Sequence, residues 1–209
     1  MGDRRFDAAE TAAAFREASH WWRSLVGGIE DHQWDQPGLG QWDVKELVAH
    51  GNRAFKTVFE YVDGPVKDPT PIASAAAYFR IVLAEQTPHV HIAARAKREA
   101  AELADPVTTT DDLAVRAMRV LDRMAPETEL HLFVGEMALS QYLATRVVEL
   151  VVHGTDLSEA IGIPSSPPIA AAKVALAVLV DLSTADDVGT IVRLLTGRSG
   201  SLPLANVLA

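Results

Sequence analysis

The chain has 209 residues, 48% of them hydrophobic and 22% charged, enough to bury a sizeable core in one main domain. A formal net charge of −9, a pI near 5.2 and the lack of any Lys/Arg cluster argue against nucleic acid as a partner. Cysteine is absent, which excludes disulfides, thiolate metal ligands and a protein-borne cysteine nucleophile, so any sulfur chemistry needs an imported thiol. With no apolar stretch of membrane length and no signal-like start, the expectation is a soluble cytoplasmic protein without a membrane partner.

Residues from about Phe6 to Asp31, Ala-rich, proline-free and carrying Trp21-Trp22, read as a first helix, and a loop through Trp34–Gly40 follows. A second helix starts at Asp43, which pairs with Glu46 as a capping box; its apolar stripe is Val44, Leu47, Val48, Gly51, Phe55, Val58, Phe59 and Val62. The run Gly64–Pro71 breaks it. A third helical region spans roughly Ile72 to Leu103 with an interruption or kink at Pro88, and a shorter helix runs from Asp111 to Met124. Residues 129–134 read as a short strand or extended connection, after which Gly135 leads into the next helix. Ser165–Pro168 caps a helix from Ile169 to about Thr184, and Asp186-Asp187 starts a last one ending at Gly197. The pattern predicts an all-α fold.

The helix through Tyr142–Asp156 is the most informative segment. At 100° per residue, Tyr142, Arg146, Glu149, His153 and Asp156 share one side, while Leu143, Val147, Val148, Leu150, Val151 and Val152 make the others apolar. Such a stripe faces a polar cleft inside the protein. Glu149 and His153, at i and i+4, can share one divalent metal ion, with Asp156 or a backbone carbonyl orienting an imidazole. His50 is the candidate third ligand, because it lies about 120° from the centre of its helix's apolar stripe, at the rim of the packed face. Three protein ligands leave one position open, as in catalytic rather than structural sites, and two nitrogen ligands favour zinc over magnesium. The competing reading is that Glu149 and His153 only bond Arg146 and a backbone carbonyl.

Other residues carry less. His89 and His91 point to different faces on any helix and suit a solvated loop, His20 suits a half-buried packing role, and His131 a connection. Trp34 and Trp42 flank the loop before the His50 helix and either wall a pocket or plug the bundle end. Arg198, in Thr196-Gly-Arg198, either caps a helix or binds an anion. No Gly-x-Ser-x-Gly elbow, P-loop or dinucleotide fingerprint occurs.

Together, Gly40-Gln-Trp-Asp-Val-Lys-Glu-Leu-Val-Ala-His50 and the segment Tyr142–Leu157 resemble the two signature segments of the mycothiol-dependent maleylpyruvate isomerase family, within the DinB-like metalloprotein superfamily. The resemblance covers roughly residues 6 to 160. It implies a DinB-like four-helix bundle with a short C-terminal helical extension, divided as a metal-binding bundle over 1–160 and an extension over 161–209. It also implies a divalent metal, usually zinc, on His50, Glu149 and His153, and mycothiol as the thiol cosubstrate acting on a small electrophilic substrate. Arg146, Tyr142 and Arg198 are the candidate catalytic residues, and a homodimer is compatible with this reading. The family's isomerases carry a fuller C-terminal domain, of which Thr196-Gly-Arg198 and Leu202–Leu208 look like a shortened version, so maleylpyruvate itself is not carried over as substrate. A thiol S-transferase and a maleylpyruvate-type isomerase stand side by side; a metal-dependent hydrolase and a non-catalytic metal-binding stress-response module are the alternatives.

Overall fold

The first helix begins where Asp7 turns its carboxylate onto the backbone N–H groups of Ala9 and Glu10, and it runs as α1 over Ala8–Gly27. A computed structural model describes residues 3–62, 64–65, 70–84 and 88–198, with 88–92 described as backbone only. Along α1 the buried positions Ala14, Phe15, Ala18, Trp21, Trp22, Leu25 and Val26 recur at helical spacing, and this face lies against the core. The sequence extended this helix to Asp31. It stops at Gly27, and a single 3-10 turn, Asp31–Gln33, follows.

The Asp43/Glu46 capping box starts α2 (Val44–Gly51) as expected, but the helix does not continue unbroken to Val62. It is interrupted at Asn52, and α3 (Arg53–Glu60) begins anew. The buried Asn52 side chain accepts from Trp22 Nε1 at 3.0 Å and donates to Thr110 Oγ1 at 2.8 Å, so tertiary hydrogen bonds hold the break. The interruption shifts the buried face. Thr57 joins Ala54, Phe55 and Val58 inside, whereas Phe59 is half-buried with the Arg116 guanidinium 3.8 Å over its ring.

The expected helical region after Ile72 consists of α4 (Ala75–Leu83), capped by Ser74, and α5 (Pro88–Glu102), whose first residue is the proline anticipated as a kink. The next helix starts earlier than its apolar pattern suggested. Asp105 caps it, Pro106 takes the first helical position, and α6 runs over Pro106–Arg123.

Residues 129–138 differ most from expectation. Gly135 does not lead into a helix; it opens a second strand, so β1 (Glu129–Leu132) and β2 (Gly135–Ala138) form an antiparallel hairpin with Leu132 opposite Gly135. Leu130, Leu132 and Met137 point inward, and His131 N–H donates to the Tyr61 carbonyl, tying the hairpin to the end of α3. Gly135 sits at φ 147°, and a Cβ there would overlap the Thr70 carbonyl and Ile72, which explains the glycine.

The longest helix, α7 (Leu139–Ala160), is the hub of the fold: α1, α2, α3, α4 and α8 all pack against it. The C-terminal helices are α8 (Ile169–Leu182), which buries Ala171, Val174, Ala175 and Val178 against α1 and α7, and α9 (Ala185–Leu195), capped by Thr184. Among the described residues the architecture is mostly α-helical, with a C-terminal helical extension and one small hairpin. None of the described helices is long and apolar enough to cross a membrane.

Candidate metal centre

The polar stripe anticipated on α7 lies inside the protein. Tyr142 is fully buried, Arg146 is 6% exposed, and the side chains of Glu149, His153 and Asp156 are half-buried. α2 crosses this stripe and brings His50, from its last turn, onto Glu149 and His153. One ligand atom from each of His50, Glu149 and His153 lies within 4.8 Å of the others. Glu149 Oε2 stands 3.4 Å from His153 Nε2 and 3.8 Å from His50 Nε2.

These separations fit a shared ion. With metal–ligand bonds of about 2.0–2.1 Å, neighbouring ligands of a tetrahedron sit about 3.4 Å apart, so the carboxylate–His153 edge has that length and the carboxylate–His50 edge, at 3.8 Å, is a few tenths of an ångström longer. The chemistry of the donors fits as well. Burial, followed by the neighbouring His153 charge, pushes the pKa of His50 down to about 3, so this ring is the neutral imidazole that a metal needs. Burial opposes the charged forms of Glu149 and His153 too, but their partners prevail. The hydrogen bonds that His153 donates to Asp156 and Glu149 carry its pKa up to about 9, while the His153 bond and the Arg146 charge hold Glu149 well below the usual carboxylate range. Metal-free, the cluster therefore keeps an anion and a proton where a cation would sit.

The orienting contacts are unequal. His153 Nδ1 is 3.2 Å from Asp156 Oδ2, which turns Nε2 toward Glu149, the relation anticipated for an imidazole ligand and its carboxylate partner. Nδ1 of His50 is buried with no hydrogen-bond partner; its ring is held instead between Trp42 and His153, each with its centroid 4.7 Å away. Trp42 thus walls the site. The simpler alternative, in which Glu149 and His153 serve Arg146 and a carbonyl, matches this geometry poorly: Arg146 Nη2 is 3.9 Å from Glu149 Oε1, beyond hydrogen-bond range, and the second nitrogen of His153 faces a carboxylate.

Arg146 lies 4.8 Å from the ring centroid of Tyr142 and 5.7 Å from that of Tyr78, and its Nε donates to Thr145 Oγ1. The Tyr142 hydroxyl donates to Thr57 Oγ1 at 2.8 Å, and burial pushes its pKa well above the ordinary value, so its main observed contact with the stripe is the ring beneath Arg146. Arg198 is exposed at the end of α9, and its hydrogen bonds stay with the Arg193 and Thr196 carbonyls, those of a helix terminus. His20 is exposed rather than half-buried, and His131 lies on β1, 3.0 Å from Glu136 Oε1 across the hairpin. The backbone of His89 and His91 is in the first turn of α5 rather than a loop, while their side chains and the segment Leu202–Leu208 lie outside the described residues.

Three neighbours of the cluster had no signal in the sequence: Tyr61 and Tyr78, whose rings meet Tyr142 edge-on, and Arg95 of α5. Burial, reinforced by the Arg53 charge, lowers the Arg95 pKa, and its positive charge is felt at His50. Only the packing of α5 on α2 brings it there.

Neither curated proteins nor solved structures gave a match to the chain. Residues 15–158, which span α1 through α7 and include His50, Glu149 and His153, match the family model described as the mycothiol maleylpyruvate isomerase N-terminal domain. With the matched region covering most of the chain, the protein belongs to the mycothiol maleylpyruvate isomerase N-terminal domain family.

Proposed function

We propose that the protein is a metal-dependent enzyme that activates a low-molecular-weight thiol, mycothiol, for addition to a small electrophile, with zinc held by His50, Glu149 and His153. The observation that carries this reading is the convergence of two imidazoles and a carboxylate, at metal-ligand spacing, in a chain without cysteine. A divalent ion bound there would supply what the chain lacks, a sulfur deprotonated at neutral pH, since a free thiol has a pKa near 8.5. The boundary we propose, a metal-binding bundle over 1–160 and an extension over 161–209, is supported by the family match ending at residue 158.

The residues around the ligands divide the remaining work. Asp156 holds the His153 ring, and Trp42 covers His50. Arg146 is the guanidinium that stands beside Glu149, and we assign it to a substrate carboxylate or to the enolate that develops when sulfur adds to a carbon–carbon double bond. Tyr142, with its hydroxyl on Thr57, supports Arg146 through its ring face. In an isomerase, the C–S bond forms as the π bond opens, the carbon skeleton rotates about the resulting single bond, and the C–S bond breaks to return the thiol. In a transferase, the carbanion takes a proton and the thioether is the product. Arg198 does not enter this proposal.

The test is to incubate zinc-loaded protein with mycothiol and a panel of electrophiles and to follow thioether adducts and isomerised products by mass spectrometry, at constant metal occupancy. Product formation that requires the thiol is expected. Turnover unchanged without any thiol would replace this reading with metal-assisted hydrolysis, and neither turnover nor thiol binding would leave a metal-binding module.

A further inference from the structure

Both histidines of the cluster are followed by glycine: His50-Gly51 closes α2, and His153-Gly154 lies inside α7. On α1, the adjacent Trp21 and Trp22 project about 100° apart, and each covers one of these glycines. A Cβ on Gly51 would fall inside the van der Waals envelope of Trp22 Cη2 and Cζ2. One on Gly154 would overlap Trp21 Cζ3 and stand 2.6 Å from Cη2. Each indole is anchored at its other end: Trp22 Nε1 donates to Asn52 Oδ1 at 3.0 Å, and Trp21 Nε1 donates to Ser165 Oγ at 2.7 Å. A single turn of α1 thus rests on both ligand-bearing helices, one residue past each ligand.

We infer that Trp21 and Trp22 are positioning residues for the metal centre, and that with Gly51 and Gly154 they form a spacer setting the separation of His50 from His153; this rests on the metal-centre reading above. Ligand distances in a metal site hold to within about 0.2 Å, whereas a methyl group placed between either glycine and its indole requires roughly an ångström of relief. A mid-helix glycine weakens its helix relative to alanine, and close contact with Trp21 gives Gly154 a reason to be there. The pairing also explains why two tryptophans stand side by side: on a helix, adjacent residues reach two different neighbours, here α2 and α7.

The experiment uses the full chain and the variants Gly51→Ala, Gly154→Ala, Trp22→Phe and Trp21→Phe, with the doubles Gly51→Ala/Trp22→Phe and Gly154→Ala/Trp21→Phe. Zinc affinity is measured by chelator competition, the visible spectrum of the cobalt-substituted site reports coordination geometry, and melting of the metal-free protein reports the core. Each alanine single is expected to weaken zinc 10- to 100-fold and to alter the cobalt spectrum, and each double, which removes the outer indole ring from the added methyl, to recover most of both. Should an alanine variant fail to fold, the phenylalanine singles carry the test, because they free the helix contact without adding bulk. Unchanged affinity and cobalt spectra in all folded variants, whatever happens to melting, would show the tryptophans to be core packing only and overturn the inference. If the unmodified chain bound neither zinc nor cobalt, the metal-centre reading would fall first, and the spacer with it.

Discussion

Helices α7 and α8 lie side by side and invert the usual relation between hydrophobicity and burial. α7 carries Arg146, Glu149, His153 and Asp156, yet it is enclosed by other helices along most of its length. α8, Ile-Ala-Ala-Ala-Lys-Val-Ala-Leu-Ala-Val-Leu-Val-Asp-Leu, has one charge before its last turn, yet it leaves Ile169 73% and Leu176 56% exposed. Charged groups go inside where partners compensate their desolvation: Asp156 for His153, Arg146 and His153 for Glu149, the Tyr142 ring for Arg146. Apolar groups stay outside where the helix has filled its contacts with Ala171, Val174, Ala175 and Val178 and nothing remains to cover the other face within the described residues. Composition alone would have exchanged the two.

The comparison can be broken at its polar end. Removing one of three ligands with His153→Ala should abolish stoichiometric metal, weakening zinc by roughly a thousandfold or more, since a four-ligand zinc site supplies about 10–16 kcal/mol in total. Metal content by elemental analysis of the purified variant checks it, and unchanged stoichiometry would mean that the ion, if any, sits elsewhere. Next in size is Arg146→Ala, which leaves the Glu149 carboxylate without its nearest guanidinium and the Tyr142 ring without its cation. A loss of about 3 kcal/mol in denaturant unfolding of the metal-free protein is expected. A loss under about 1 kcal/mol would show that water already compensates Glu149.

The protonation pattern gives a finer test. His153, held at about 9, carries a proton at neutral pH that metal must displace, whereas His50, at about 3, carries none. Apparent zinc affinity should therefore fall about tenfold per pH unit as pH drops from 9 to 7, with release of one proton rather than two. Ordinary histidines, titrating near 6.5, would leave affinity flat over that range. The sign is fixed by linkage: a raised imidazole pKa stabilises the metal-free fold most fully below its unfolded value, and that stabilisation is lost as pH rises through about 9. Titration calorimetry in buffers of different ionisation enthalpy counts the protons.

The smallest effect belongs to the apolar end. Leu176→Gln should change stability by no more than about 0.5 kcal/mol, because the side chain already faces solvent. A loss above about 1 kcal/mol in thermal unfolding would mean that this face of α8 is covered in solution, and its dependence on protein concentration would reveal a second copy of the chain.

Much of this was readable in the chain itself, because it depends on local periodicity. The 3.6-residue repeat puts Tyr142, Arg146, Glu149, His153 and Asp156 on one side of a helix, the Asp43/Glu46 box marks where α2 begins, and the absence of cysteine excludes thiolate ligands in favour of imidazole and carboxylate. The run 129–134 was legible as a short strand or extended connection, but the second strand was not, because the helical pattern after Leu139 was strong enough to absorb Gly135; the break at Asn52 has no local mark because its cause, hydrogen bonds to Trp22 and Thr110, comes from α1 and α6. Contacts between residues far apart in sequence leave no period to detect. Tertiary structure alone therefore decided that His50 meets Glu149 and His153, that Trp42 covers His50, that Arg95 stands within electrostatic reach, and that Trp21 and Trp22 lie on the glycines beside the two histidines.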